Sequence, residues 1–172
     1  MYEEQEDSMS SLKEIQALQL QSEKVFDYFE EICAIPHGSR NTKAISDYLV
    51  AFAKKHDLTW YQDESNNVVI VQEATAGYEQ ADTIILQGHM DMVCEKESGC
   101  AIDFEKDGLD LYVDGDFLKA RGTTLGGDDG IAVAYALAIM DSPEIAHPRL
   151  EVVITVDEEI GMLGAEAIDL SM

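Results

Sequence analysis

Two apolar runs in this chain lead directly into charged residues. Thr83-Ile84-Ile85-Leu86 precedes His89-Met90-Asp91, and Val152-Val153-Ile154-Thr155-Val156 precedes Glu158-Glu159. Short β-branched runs of this kind form strands, and strands that are apolar throughout are buried ones. Between them, Gly126-Gly127-Asp128-Asp129-Gly130 opens a segment, 131–140, that is apolar around almost its whole circumference. Such a segment forms a helix with neighbours on several sides. A histidine and several carboxylates are therefore expected together at the ends of one sheet, where α/β folds usually hold a site.

The rest of the chain fits that layout. Val25, Phe26, Phe29, Ile32 and Cys33 recur at helical spacing until Pro36 and Gly38 break the pattern. Ala44, Ile45, Tyr48, Leu49 and Phe52 mark one face of a second amphipathic helix. Residues 67–71 read as a strand after the Asn66-Asn67 turn signal and 83–87 as the next, both central and buried. Leu111-Tyr112-Val113 and Phe117-Leu118-Lys119 flank Asp114-Gly115-Asp116 and predict a tight surface hairpin. The expected fold is α/β, with a mixed, mostly parallel sheet flanked by helices. Residues 1–24, rich in Glu, Gln and Ser, are expected to form a polar extension, and 25–172 the folded part.

Composition narrows the function classes. With 172 residues and 46% hydrophobic content, the chain can bury the core of one domain. No apolar stretch approaches the roughly 20 residues that cross a bilayer, and the acidic start lacks the basic flank of a signal peptide. A cytoplasmic location is expected. Against 11 basic residues stand 35 acidic ones, and the net charge of −24 repels phosphate backbones and anionic membranes alike. Nucleic-acid and membrane partners are therefore not expected. Cys33, Cys94 and Cys100 cannot all pair within the chain and match no zinc-knuckle spacing, so they are expected as reduced thiols.

Residues two apart in an extended segment face the same way, so His89 and Asp91 can lie side by side with Met90 turned into the packing. A carboxylate so placed can hold one imidazole nitrogen and fix the tautomer of the other. Adjacent Glu158 and Glu159 point in different directions, which allows one to bind metal while its neighbour faces substrate. Asp128, at a glycine-rich helix start, sits where the helix dipole favours negative charge, and it can bridge two cations. Each piece alone has a bland reading: a surface His-Asp pair, a helix cap, a solvated acidic face. Their convergence at one sheet edge, beside otherwise apolar segments, favours a site.

Three segments carry a family resemblance: Gln87-Gly88-His89-Met90-Asp91-Met92-Val93, the run from Lys119-Ala120-Arg121-Gly122-Thr123-Thr124-Leu125 through Gly126-Gly127-Asp128-Asp129-Gly130-Ile131, and Glu158-Glu159-Ile160-Gly161-Met162. They resemble the co-catalytic zinc metallopeptidases, the group of aminoacylase, carboxypeptidase G and peptidase T. The Arg-Gly-Thr-Thr-Leu-Gly run, the 112–117 hairpin and Ile35-Pro36-His37 are most similar to the aminoacyl-histidine dipeptidases, which cleave Xaa-His dipeptides of the carnosine type. The resemblance runs from about residue 25 to 172. It implies two divalent metal ions, zinc ahead of manganese or cobalt. His89 would bind one and Glu159 the other, with Asp128 bridging both. Asp91 would orient His89. Glu158 would be the general base, taking a proton from the attacking water and passing it to the departing amine. Asp129 is assigned only to the turn.

Members of that group continue well past the Glu-Glu motif, with a further acidic ligand, a distant histidine and a lid domain. The chain is accordingly expected to be the N-terminal part of a catalytic domain. Each metal would have two ligands here, His89 with Asp128 and Glu159 with Asp128, where catalytic zinc commonly has three. His37, His56 and His147 are expected to be structural, so they do not fill the gap. The isolated chain is not expected to turn over, and its uncovered sheet is expected to favour self-association. Two alternatives stand beside the dipeptidase: a non-catalytic metal- or partner-binding chain, and a deacylase of N-acyl amino acids or a tripeptidase of the same group.

Overall fold

The computed structural model describes residues 23–169. The expected polar extension falls outside them except for Glu23 and Lys24, which open the first helix. That helix, α1 (Glu23–Cys33), buries Val25, Tyr28, Phe29, Ile32 and Cys33. Tyr28 rather than Phe26 completes the buried stripe, because its hydroxyl finds Asp141 Oδ2 at 2.9 Å and lets the ring lie inside. The second helix, α2 (Lys43–Lys55), buries Ile45, Ser46, Leu49, Val50, Phe52 and Ala53, while Ala44 is exposed. Ser46 can be buried because its hydroxyl donates to the Asn66 carbonyl at 2.7 Å.

Strands β1 (Thr59–Gln62), β2 (Val68–Gln72), β3 (Ile84–His89) and β6 (Leu150–Thr155) form a sheet in the order β1-β2-β6-β3. The sheet is mixed, as expected, but only β3 and β6 run parallel; β1-β2 and β2-β6 are antiparallel. The expectation of a mostly parallel sheet is corrected by connectivity. A short turn between β1 and β2 enforces an antiparallel pair, whereas the crossover through the helix α3 (Gly127–Met140) brings β6 back parallel to β3. The hairpin of β4 (Leu111–Asp114) and β5 (Phe117–Ala120) stands apart as its own sheet, with Asp114 paired to Phe117 across Gly115 and Asp116. A short α4 (Leu163–Ala167) ends the described chain.

The two faces of the main sheet differ. Val68, Ile70, Val152 and Ile154 pack with the helices in a continuous core, and all are 2% exposed or less. Helix α3 lies between α1 and β3, with Val133, Ala134 and Leu137 inside and Tyr135 turned to solvent. On the other face, Thr59, Val71, Ile85, Glu151 and Val153 line an open concavity. Strand β3 is expected to be central, yet it has a single strand partner among the described residues. Ile84 and Ile85 are consequently 46% and 62% exposed. Among the described residues, no helix is long and apolar enough to cross a membrane.

Candidate metal centre

Parallel pairing in the register His89↔Thr155 makes β3 and β6 end at the same edge. Met90 extends the pairing by one hydrogen bond, its N–H donating to the Thr155 carbonyl at 2.9 Å, and its side chain enters the core. His89 and Asp91 are left together. Nδ1 of His89 donates to the Asp91 carbonyl at 3.0 Å and lies 3.4 Å from its Oδ1. The other ring nitrogen, Nε2, faces Asp128 Oδ1 at 3.2 Å and Glu158 Oε2 at 3.7 Å.

Asp91 has no exposed side-chain surface, and donors surround its carboxylate. Ser39 Oγ donates to Oδ2 at 2.8 Å, the Glu158 amide to Oδ1 at 3.0 Å, and the Glu159 amide to Oδ2 at 3.4 Å. Burial opposes ionisation of Asp91. The contacts from His89, the Glu158 amide, Ser39 and the Glu159 amide outweigh it and hold the carboxyl below its usual range. For His89, burial disfavours the charged ring, but Asp91 and then Asp128 prevail and raise its pKa to about 9. Glu159 moves the other way: burial, with Asp128, Glu158 and Asp91 nearby, pushes its carboxyl up despite His89.

Gly126, in the left-handed region at φ 70°, turns the chain into α3. Asp128 and Asp129 then depart from helical geometry, with ψ values of 108° and 23°. The Asp128 side chain consequently stands 87% exposed beside His89. Asp129 turns inward, and its Oδ2 accepts from the His89 amide at 3.3 Å. Burial pushes the Asp129 carboxyl up, with His89 acting against it. By sequence, Asp129 is expected to serve the turn alone. The signal that could have found its second contact is Gly88, where a Cβ would lie 2.7 Å from Asp129 Oδ2.

The structure thus gathers His89, Asp91, Asp128, Glu158 and Glu159 in one cluster. Ligand atoms of His89, Glu158 and Glu159 lie within 4.8 Å of one another, and Asp128 joins them through Nε2 of His89. One imidazole nitrogen, freed by the contacts on its partner, together with several carboxylate oxygens, suits a divalent cation such as zinc or manganese. An adjoining cavity of about 540 Å³ is lined also by Gln87, Val153, Thr155 and Met162. The other histidines have partners of their own. His37 and His147 donate from Nδ1 to the carbonyls of Ile35 and Pro148, at 2.6 and 2.7 Å, and His56 stacks on Phe52. Cys33, Cys94 and Cys100 are free thiols.

Residues 85–169 match the profile of peptidase family M20/M25/M40. The cytosol non-specific dipeptidase of Escherichia coli K12 is 42% identical over 147 residues, which are 86% of this chain and 30% of that enzyme. The crystal structure of aminoacylhistidine dipeptidase from Vibrio alginolyticus superposes with a TM-score of 0.85 at 39% identity, over 88% of this chain and 31% of that one. Over residues 85–169 this chain is similar to peptidase family M20/M25/M40. Aminopeptidase PepT from Bacillus cereus, at 23% identity and a TM-score of 0.71, shares the fold over 86% of this chain and 39% of its own. The family is metal-dependent, and the chain spans about a third of the length of these relatives.

Proposed function

We propose that this chain carries part of the active site of a metal-dependent dipeptidase of that family, with Xaa-His dipeptides among its substrates. The observation that carries the proposal is the convergence of His89, Glu158 and Glu159, with Asp128 3.2 Å from Nε2, at the shared edge of β3 and β6. His89, Asp128 and Glu159 would hold two divalent ions, zinc first among them. When bound, such ions supply Lewis acidity toward a scissile carbonyl and acidify water.

The chain's own groups divide the remaining work. Asp91 occupies Nδ1 of His89, which keeps Nε2 directed into the cluster. Fully buried, Asp91 cannot reach a substrate. Glu158, with its side chain 40% exposed, can, and it takes a proton from the attacking water and hands it to the leaving amine. The names of the relatives, a non-specific dipeptidase and an aminoacylhistidine dipeptidase, support dipeptides as the substrate class. The E. coli relative's name supports a cytosolic setting. The exposed Ile85 supports association through the open sheet face, which sedimentation would detect as a concentration-dependent mass.

The test is metal content per chain after zinc saturation, for the wild type and Asp128→Ala, with hydrolysis assayed on the same samples. Xaa-His dipeptides, other dipeptides, tripeptides and N-acyl amino acids are compared, with and without the rest of the E. coli relative's chain supplied in trans. Zinc retained by the wild type and lost in Asp128→Ala, with dipeptide hydrolysis on complementation, supports the proposal. A wild-type chain that holds no zinc sinks it. Zinc without hydrolysis in a well-formed complex favours a non-catalytic metal-binding chain.

A further inference from the structure

The loop between α1 and α2 has no metal ligand of its own, yet it touches both strand ends that build the centre. Its backbone runs alongside the segment after β3: the Met92 N–H donates to the His37 carbonyl at 3.1 Å, and Gly38 forms a parallel bridge with Met92. The approach is close, since a Cβ on residue 38 would lie 2.5 Å from Cys94 Sγ. Two residues on, Arg40 adopts the left-handed region at φ 69°, and its N–H donates to Asp157 Oδ1 at 2.6 Å, next to Glu158. Between these two anchors, the Ser39 hydroxyl donates to Asp91 Oδ2 at 2.8 Å.

Asp91 is the group through which the two strand ends communicate. Its carboxylate receives His89 from its own segment and the Glu158 and Glu159 amides from the other. Oδ1 lies against the Glu158 amide and Nδ1 of His89, but the Glu159 amide reaches Oδ2 only at 3.4 Å. Without Ser39, Oδ2 keeps that long contact alone, and the carboxylate can rotate about its Cβ–Cγ bond. Rotation would loosen the Glu158-Glu159 turn and withdraw the carboxylate from the imidazole, leaving Nδ1 only the residue 91 carbonyl. Two amide donors and one imidazole fix the plane less well than four donors that converge from three segments of chain.

We propose that Ser39 is a positioning residue of this centre, acting through Asp91 to hold His89 and the Glu158-Glu159 turn in one arrangement. The proposal rests on the reading of these residues as a metal centre, and it extends that centre to the loop that leads into α2. Loss of a hydrogen-bond partner behind a metal ligand typically weakens metal binding about 10- to 100-fold, and one hydroxyl acting through an intermediary belongs at the lower end of that range.

Ser39→Ala removes the donor, Ser39→Cys keeps the size with a weak donor, and Ser39→Thr keeps the hydroxyl. The 172-residue chain is first examined without metal, by NMR hydrogen exchange of the Glu158 and Glu159 amides against strand amides of β6. It is then titrated with zinc by calorimetry. In Ser39→Ala and Ser39→Cys, exchange of the two amides should quicken several-fold while the strand amides hold, and zinc affinity should fall about tenfold. Ser39→Thr should restore both. Unchanged exchange in Ser39→Ala overturns the proposal, as does a Thr variant as impaired as the Ala one. Altered exchange with undiminished zinc affinity also overturns it, because the hydroxyl would then serve the loop alone. A wild type that binds no zinc removes the metal-centre reading instead, and the exchange data still decide whether Ser39 fixes Asp91.

Discussion

The His89-Asp91 side of the centre is locked, whereas the Asp128 side is free. Asp91 is wholly buried among four donors, and His89 is 8% exposed by its side chain; Asp128, 3.2 Å away, is 87% exposed. The difference follows from where each residue sits. His89 and Asp91 continue a strand whose pairing extends to Met90, so the backbone fixes their directions before any ligand arrives. Asp128 sits at a helix opening, where its side chain is left to solvent. The proposed centre would thus have a rigid floor to orient one ligand and a solvated wall that an ion could draw in. Folding energy should therefore depend on the floor, and ion binding on both.

The largest effect is expected from Asp91→Ala. It strands the Glu158 amide and the Ser39 hydroxyl and takes away the carboxylate beside the imidazole, which keeps only the residue 91 carbonyl. Breaking such a buried network costs about 3 kcal/mol. Urea denaturation of the metal-free chain should show that loss, and zinc affinity should drop 10- to 100-fold as well. Stability equal to wild type would mean that the floor is not locked, and the contrast with Asp128 would collapse.

Asn67→Ala comes next and sharpens the comparison. Asn67 is buried, donates to the Gly164 carbonyl at 3.0 Å and accepts from the Val156 amide at 3.0 Å, so it ties β2 to the chain beyond β6 without touching a site residue. Its loss should cost about 2 kcal/mol. Zinc affinity should change far less than in Asp91→Ala. If both fall alike, any loosening of this region perturbs the centre, and Asp91 has no special role.

A smaller, pH-dependent effect is expected at Asp141, outside the centre. Partial burial raises its pKa, but the Tyr28 hydroxyl and the Lys24 ammonium prevail and hold it below the usual range. A carboxyl lowered in the folded state adds stability above its unfolded pKa of about 3.9 and loses it as pH falls through the folded value. Asp141→Asn should therefore be less stable than wild type in urea at pH 7, with the gap closing below about pH 4. A gap that persists at pH 3 would assign the effect to the Tyr28 hydrogen bond and not to charge.

How much of this was legible in the sequence depends on the range of the information. The strand runs, the helix at 131–140 and the hairpin at 111–120 are local patterns, and they were readable because period and turn chemistry are local. The cluster was also readable, since His89 ends β3 and Glu158 and Glu159 come within four residues of the end of β6. Sheet order was not: β3 reads as central because its side chains are apolar, but partners on either side are set by connectivity. Ser39 and Asp129 escaped notice for a related reason. A serine 52 residues before its aspartate, and a carboxylate that binds a backbone amide 40 residues away, leave no periodic trace.

The smallest stability effect, and the one that bears most on the comparison, is expected from Asp128→Asn. The side chain is 87% exposed and, among the described residues, its one hydrogen-bonding contact is with His89 Nε2, so little folding energy can reside in it. In a chain of net charge −24, neutralising one acid beside Glu158 also relieves repulsion. Urea midpoints of the metal-free protein should therefore agree with wild type to within about 0.5 kcal/mol. Zinc binding should nevertheless fall sharply, since the amide oxygen carries no charge to share with a cation. A variant that unfolds more readily yet keeps its zinc would reverse the assignment, making Asp128 part of the scaffold and leaving His89, Glu158 and Glu159 to hold the ion.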